Sequence, residues 1–276
     1  TILGRWSYAN ILVTRKCNLR CEYCNVWKKK SRDLELEDWF NEIDVLAKQG
    51  CARVGLTGGE PTLREDLPDL IHYISKKGIL VSVVSNATLV NDRLVESLVD
   101  ARLDGFCTSF DSLADFGKHS RKALDVAKMF SERNVEVTLI TVMTHRNLND
   151  VLNITFMCDK LGFWHNPIVV QSKDGFLSSR CDELLPSSSE IAHVCKNLIG
   201  LKTRGYRVVP SIEYLTRIPD YCDGAKWVCK PFDQVITLNS DGRVMVCQET
   251  KPLDATLTDV EAVSYTHLRA HETGRN

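Results

Sequence analysis

The chain has 276 residues, 43% hydrophobic and 26% charged, with 35 Lys and Arg against 36 Asp and Glu. That length allows one sizeable core, or one core with a small appended module, and the near-neutral balance gives no electrostatic footprint for nucleic acid or an anionic membrane surface. Apolar runs such as Ile79–Val84 are far too short to span a bilayer and no signal peptide is apparent, so a cytoplasmic protein binding neither nucleic acid nor membrane is expected.

In chain order, short β-branched runs predict strands at Ile11–Thr14, Arg53–Thr57, Leu80–Ser85, Gly105–Phe110, Val135–Val142 and Pro167–Gln171. Helical patterns fall between them at Glu35–Lys48, Leu67–Lys77, Asp92–Ala101, Arg121–Arg133 and Leu148–Leu161. In the first of these, Leu36, Phe40, Ile43 and Leu46–Ala47 make the expected apolar face. Gly78 after Lys76-Lys77 is a helix stop. Alternation at intervals of about 30 residues predicts an α/β fold with a parallel sheet, either an open, incomplete barrel or a doubly wound sheet. A partial (β/α)6 TIM-like barrel is the expectation taken forward.

Past residue 172 the pattern changes. Ser172–Ser189 is polar and reads as a connector, and Ser188–Arg204 as one more helix. Gln234–Leu238 and Arg243–Val246 flank Asn239-Ser-Asp-Gly242, the signature of a β-hairpin, here in a small cysteine-bearing extension. The expected units are residues 1–210, residues 211–262 and a tail, 263–276. The tail (VSYTHLRAHETGRN) resembles translated adaptor read-through and is expected to be non-native, which makes the chain a fragment.

Eleven cysteines is an odd and high number, and they cluster. Clustered thiols in a chain so rich in regular periodicity suit metal ligation in a reducing compartment better than a disulfide framework. Cys17, Cys21 and Cys24 follow the first strand as CNLRCEYC. A [4Fe–4S] cube normally takes four thiolates, so three on one loop leave an iron open to another ligand. The alternative is a structural zinc site, which wants a fourth Cys or His, and none lies nearby in sequence. Gly58-Gly59-Glu60-Pro61 follows the second strand, where a βα barrel places ligand-binding groups, and glycines there permit close backbone approach.

Together, CxxxCx(aromatic)C with Tyr23 as the aromatic and GGEP after strand two resemble the radical S-adenosylmethionine (SAM) superfamily, over about residues 8–171. Ser85-Asn86, Ser109-Phe-Asp111 and Thr141–Asn147 continue the likeness; Ser85-Asn86-Ala87 departs from the commoner Thr-Asn-Gly. The resemblance implies a [4Fe–4S] cluster on Cys17, Cys21 and Cys24. It further implies SAM with its amino group at Gly58, Gly59 and Glu60, its ribose or carboxylate near Ser85, Asn86 and Ser109, and its adenine by the Tyr23 backbone. The implied reaction is reductive SAM cleavage to a 5′-deoxyadenosyl radical that abstracts hydrogen from a substrate, with a reductant such as flavodoxin or ferredoxin as partner. Cys229-x12-Gly242-x4-Cys247 resembles the opening of a SPASM domain, implying an auxiliary Fe–S cluster on Cys229 and Cys247, with Cys222 a further candidate ligand. By this resemblance the substrate is a peptide or protein. The rivals are a single-cluster enzyme acting on a nucleotide, sugar or lipid precursor, and a zinc-stabilised, non-catalytic binding module.

Other candidates are weaker. Asp111 reads as a turn cap at the barrel mouth, and His119, His145 and His165 follow no ligand spacing.

Overall fold

The β-branched runs build a single sheet. In the computed structural model, residues 6–29, 31–113, 118–171, 181–225, 234–245 and 251–262 are described. Strands β1 (Tyr8–Thr14), β2 (Arg53–Gly58), β3 (Leu80–Ser85), β4 (Gly105–Ser109), β5 (Glu136–Met143) and β6 (Trp164–Val169) alternate with helices. The helices are α1 (Leu36–Lys48), α2 (Leu67–Lys76), α3 (Asp92–Asp100), α4 (Lys118–Ser131) and α5 (Leu148–Leu161). Each of β1 to β5 pairs in parallel with the next, so the chain leaves β1 to β6 at the same rim. The order β6-β5-β4-β3-β2-β1-β7-β8 stays open, as a partial barrel does.

The helices that follow are α6 (Cys181–Leu184), α7 (Ser188–Thr203), α8 (Ile212–Cys222) and α9 (Leu257–Ala262), with β7 (Val235–Leu238) and β8 (Val244–Met245) between the last two. A capping box starts α7: Ser187 Oγ accepts from Glu190 N while Glu190 Oε2 accepts from Ser187 N. Ser211 caps α8, accepting from Tyr214 N at 3.0 Å. The sequence pattern did not announce α8, because Pro219 and a weakly apolar run disguise it.

Three expectations change. The hairpin is there, but β7 pairs in parallel with β1 over Tyr8–Ile11, so it prolongs the main sheet. Strand β6 starts at Trp164, earlier than the Pro167 that the β-branched run suggested. The buried stripe of α1 is centred on Trp39, Ile43 and Leu46, all fully buried, while Phe40 sits to one side and stacks on Tyr73 of α2 at 3.9 Å. Trp39 has the larger apolar surface, and it takes the core-facing position.

Both sheet edges are covered by the chain itself. At β6, His165 N donates to Arg207 O and Val209 N to His165 O, while Val169 N donates to the Tyr214 hydroxyl. At β8, Val244 N donates to Ala255 O and Leu253 N to Val244 O. Covered edges remove the template on which another strand would add. No helix among the described residues is long and apolar enough to cross a membrane.

Candidate active site

The loops after β1 to β5 meet at one rim, and the cysteine loop is laid across them. At the end of β1 the register with β2 shifts between Leu12 and Thr14. This irregularity bends the chain into Lys16–Cys24, a common device beside functional sites. Cys17, Cys21 and Cys24 are in no disulfide, and each is half-buried.

The GGE turn supports this loop from beneath. Gly59 N donates to Thr14 O at 2.7 Å and Glu60 N to Lys16 O at 2.8 Å. A Cβ on Gly58 would overlap the Thr14 carbonyl oxygen, and one on Gly59 the Lys16 carbonyl oxygen. Gly58 also has φ of 142°, which side chains rarely adopt. The glycines are therefore required by backbone packing against the loop that carries the thiols.

Glu60 is fully buried, and its carboxylate is taken up by protein donors. Oε1 accepts from Thr62 N (3.1 Å), Thr62 Oγ1 (2.7 Å) and Ser85 Oγ (2.7 Å), and Oε2 from Asn86 N (2.8 Å). Ser85 Oγ also accepts from Ala87 N at 3.0 Å. The Glu60 and Ser85 side chains thus form a strut between the exits of β2 and β3. Ser109 ends β4 with its side chain exposed.

Polar residues that no motif named join Asn86 to complete the frame. Asn18 Nδ2 donates to Thr88 Oγ1 (2.7 Å), Thr88 Oγ1 to Asn86 Oδ1 (2.5 Å) and Asn86 Nδ2 to Asn18 Oδ1 (2.9 Å). This closed triangle ties the residue after Cys17 to the exit of β3. Glu22 pairs with Arg146 beyond β5 at 2.9 Å. On the other side, Arg15 Nε donates to Asn239 Oδ1 at 2.7 Å, linking the loop's start to the turn after β7. Their only sequence signal was a polar residue one to eight positions past a strand end.

Electrostatics mark the loop's centre. Burial pushes the Cys21 thiol up to about 11, and the proximity of Cys24, Asp111 and Cys17 adds to it. Three thiols and a carboxyl so close together favour a cationic occupant. Among the described residues no three His, Cys, Asp or Glu side chains converge on a point for one metal ion. A cube ligated at separate corners needs no such convergence, whereas tetrahedral zinc draws its donors to about 2.3 Å. Three thiols on one short loop are donors of the kind a [4Fe–4S] cluster takes.

The other candidates fall elsewhere. His165 is buried in β6, with Thr141 Oγ1 and Thr155 Oγ1 at 2.9 and 2.8 Å from its two ring nitrogens, and burial pushes it down to about 3. It is a neutral core residue. Cys222 ends α8, packed against the apolar seam with α7, and burial pushes its thiol up to about 11. Cys51 precedes β2 and is buried. Cys229, Cys247 and residues 263–276 lie outside the described residues, and so does the side chain of His119.

Fold and site together define an open parallel α/β barrel with a thiol-bearing loop over the carboxyl ends of its strands. The Radical SAM superfamily model matches residues 11–158. The chain belongs to that superfamily and is a radical SAM enzyme, a class that uses a [4Fe–4S] cluster and SAM. The chain is 26% identical over 273 residues to the PqqA peptide cyclase of Bradyrhizobium diazoefficiens, covering 92% of this chain and 69% of that protein. It is 24% identical over 256 residues to the PqqA peptide cyclase of Granulibacter bethesdensis, covering 87% and 67%. Streptococcus suis SuiB bound to S-adenosylmethionine shares the fold at a TM-score of 0.76 and 16% identity, over 97% of this chain and 68% of SuiB. anSMEcpe with bound AdoMet matches at 0.67 and 18%, over 96% and 81%.

Proposed function

We propose that this enzyme modifies a peptide, with its cluster on Cys17, Cys21 and Cys24 and SAM along the rim formed by Tyr23, Gly58–Glu60, Ser85–Asn86 and Ser109. The observation that carries the site is the seating of the GGE turn against the backbone of the thiol-bearing loop, which sets both groups at one rim. Peptide as substrate class rests on the cyclase relatives and on SuiB, whose structure is also known bound to the precursor peptide SuiA.

When bound, cluster and SAM supply an electron that breaks a carbon–sulfur bond and a carbon radical that takes hydrogen from substrate. The chain's own part is orientation. Gly58 and Gly59 leave backbone groups at the rim free of Cβ atoms, and the Glu60–Ser85 strut fixes their height relative to β3. In this reading Glu60 acts by holding the turn, and the amino group of SAM meets the backbone.

Cys222, Cys229 and Cys247 are proposed as ligands of an auxiliary cluster, on the spacing alone. Residues 1–210 form the radical SAM unit and 211–262 the auxiliary unit in this reading, with 263–276 non-native. An acidic electron-transfer protein such as flavodoxin or ferredoxin is the proposed reductant. Residues 15–32 hold seven Lys and Arg against Glu22 alone, in a chain whose net charge is −1, and Lys16, Arg20, Lys28 and Arg32 are exposed.

The test begins with anaerobic reconstitution with iron and sulfide, reduction, and quantitation of 5′-deoxyadenosine after adding SAM. Deuterated peptides encoded beside the gene are then supplied. Deuterium in the 5′-deoxyadenosine establishes a peptide as hydrogen donor. A protein fully loaded with iron that never cleaves SAM would overturn the site assignment. Cys21→Ala is expected to lose the barrel's iron.

A further inference from the structure

Asp111 is held at the rim by three residues, Val142 and Tyr23 through its carboxylate and Asn147 through its backbone carbonyl. Its Oδ1 accepts from Val142 N at 2.9 Å, at the end of β5. Its backbone carbonyl accepts from Asn147 Nδ2 at 2.7 Å, and the same amide group donates to Val142 O at 2.9 Å. Asn147 is itself locked, its Oδ1 accepting from Thr144 N at 2.8 Å. These bonds make the exits of β4 and β5 one rigid piece. The remaining oxygen, Oδ2, reaches away from it and accepts from the Tyr23 hydroxyl at 2.7 Å.

Tyr23 stands between Cys21 and Cys24. A turn cap needs only the bonds to Val142 and Asn147, so the bond to Tyr23 serves a different element. Burial raises the Asp111 carboxyl, with the bonds from Tyr23 and Val142 opposing it. Other ties hold the cysteine loop elsewhere: Asn18 at β3 and Glu22 to Arg146. Those ties have exposed partners, where bonds compete with water. The Tyr23–Asp111 bond is part-buried and is directed to the turn that carries two of the three thiols.

We infer that Asp111 is a positioning residue, which through the Tyr23 hydroxyl holds the Cys21–Cys24 turn in register with the β4 and β5 exits, and so sets the fit of SAM to the cluster. The inference rests on the cysteine triad holding the cluster. The two ideas fail separately, because Cys21→Ala tests iron loading and the variants below are compared at equal iron.

Tyr23→Phe removes one oxygen and leaves the Asp111 turn bonds untouched. Iron and sulfide per chain are expected to match the unaltered protein. SAM affinity, measured by equilibrium binding, should fall about three- to tenfold, the net scale of one ordinary intramolecular hydrogen bond. The change that SAM produces in the electron paramagnetic resonance spectrum of the reduced cluster should shrink in parallel. Asp111→Asn can donate from its amide to the Tyr23 oxygen, and should bind SAM better than Asp111→Ala. Adding Tyr23→Phe to Asp111→Ala should cost nothing more. If Tyr23→Phe binds SAM and shifts the spectrum like the unaltered protein at equal iron, or if its effect multiplies with that of Asp111→Ala, the tether is wrong and Asp111 is only a turn cap. The Tyr23→Phe comparison decides even if Asp111→Ala does not fold.

Discussion

Glu60 is where one side chain carries the most structure. A carboxylate accepts without donating, and four donors from Thr62, Ser85 and Asn86, three on Oε1 and one on Oε2, hold it in a fully buried place. Glu60→Gln keeps the shape but turns one acceptor into a donor facing N–H or O–H groups. Unmet buried donors cost about 1–3 kcal/mol, so thermal denaturation should register a loss of that order. SAM affinity should fall with it, because the strut sets the height of Gly58 and Gly59. A Glu60→Gln protein as stable as the parent would show that the carboxylate's charge is dispensable to the frame.

At the scale of elements, the decisive contact is the β2 exit lying against the β1 exit. Gly59→Ala would drive a methyl group into the Lys16 carbonyl oxygen, a backbone atom that cannot swing aside. Overpacking typically costs about 1–3 kcal/mol. Here the displaced segment carries the thiols, so the expected result is lower iron per chain together with a lower melting temperature. Helix α9 offers a second test. It lies against α1 at Glu42, whose carboxyl burial raises from the usual 4.5 to about 7. The Leu257 N–H opposes the rise, Asp259 and Asp38 add to it, and Oε2 has no hydrogen-bond partner. A carboxyl raised in the folded state stabilises fully below its unfolded value of 4.5, and that contribution is lost as pH climbs through 7. Glu42→Gln should therefore gain on the parent in melting temperature between about pH 5 and pH 8. A constant gap across that range would rule out Glu42 as the titrating group.

Over the whole molecule, charge is segregated although its sum is near zero. The basic stretch 15–32 surrounds the thiols, and the remaining residues carry the excess of acid. Ionic screening shortens the reach of such a patch from roughly 10 Å at 0.1 M salt to about 3 Å at 1 M. Reduction by an acidic protein donor should slow severalfold with added salt, while reduction by a small chemical reagent should not. Charge reversal at Lys28 and Arg32 should mimic the salt. An unchanged rate with the protein donor would place its docking elsewhere.

Much of this was legible in the residues. Parallel order follows from βα alternation, and the thiols and GGE turn announce themselves because their chemistry depends on short local spacing. Helix α8, the true face of α1 and the attachment of β7 to β1 were not legible, since each depends on which surfaces meet. The same divide runs through the site. Cys17, Cys21, Cys24, Gly58, Gly59 and Glu60 could be picked out by type and position, so the sequence alone determined the class of chemistry. Only the tertiary structure decided why the glycines are glycines, that Glu60 faces inward to Ser85 and Asn86, and that Tyr23 is tied to Asp111. Spacing records which groups share a loop. Which loops touch is fixed by the packing of strands far apart in the chain.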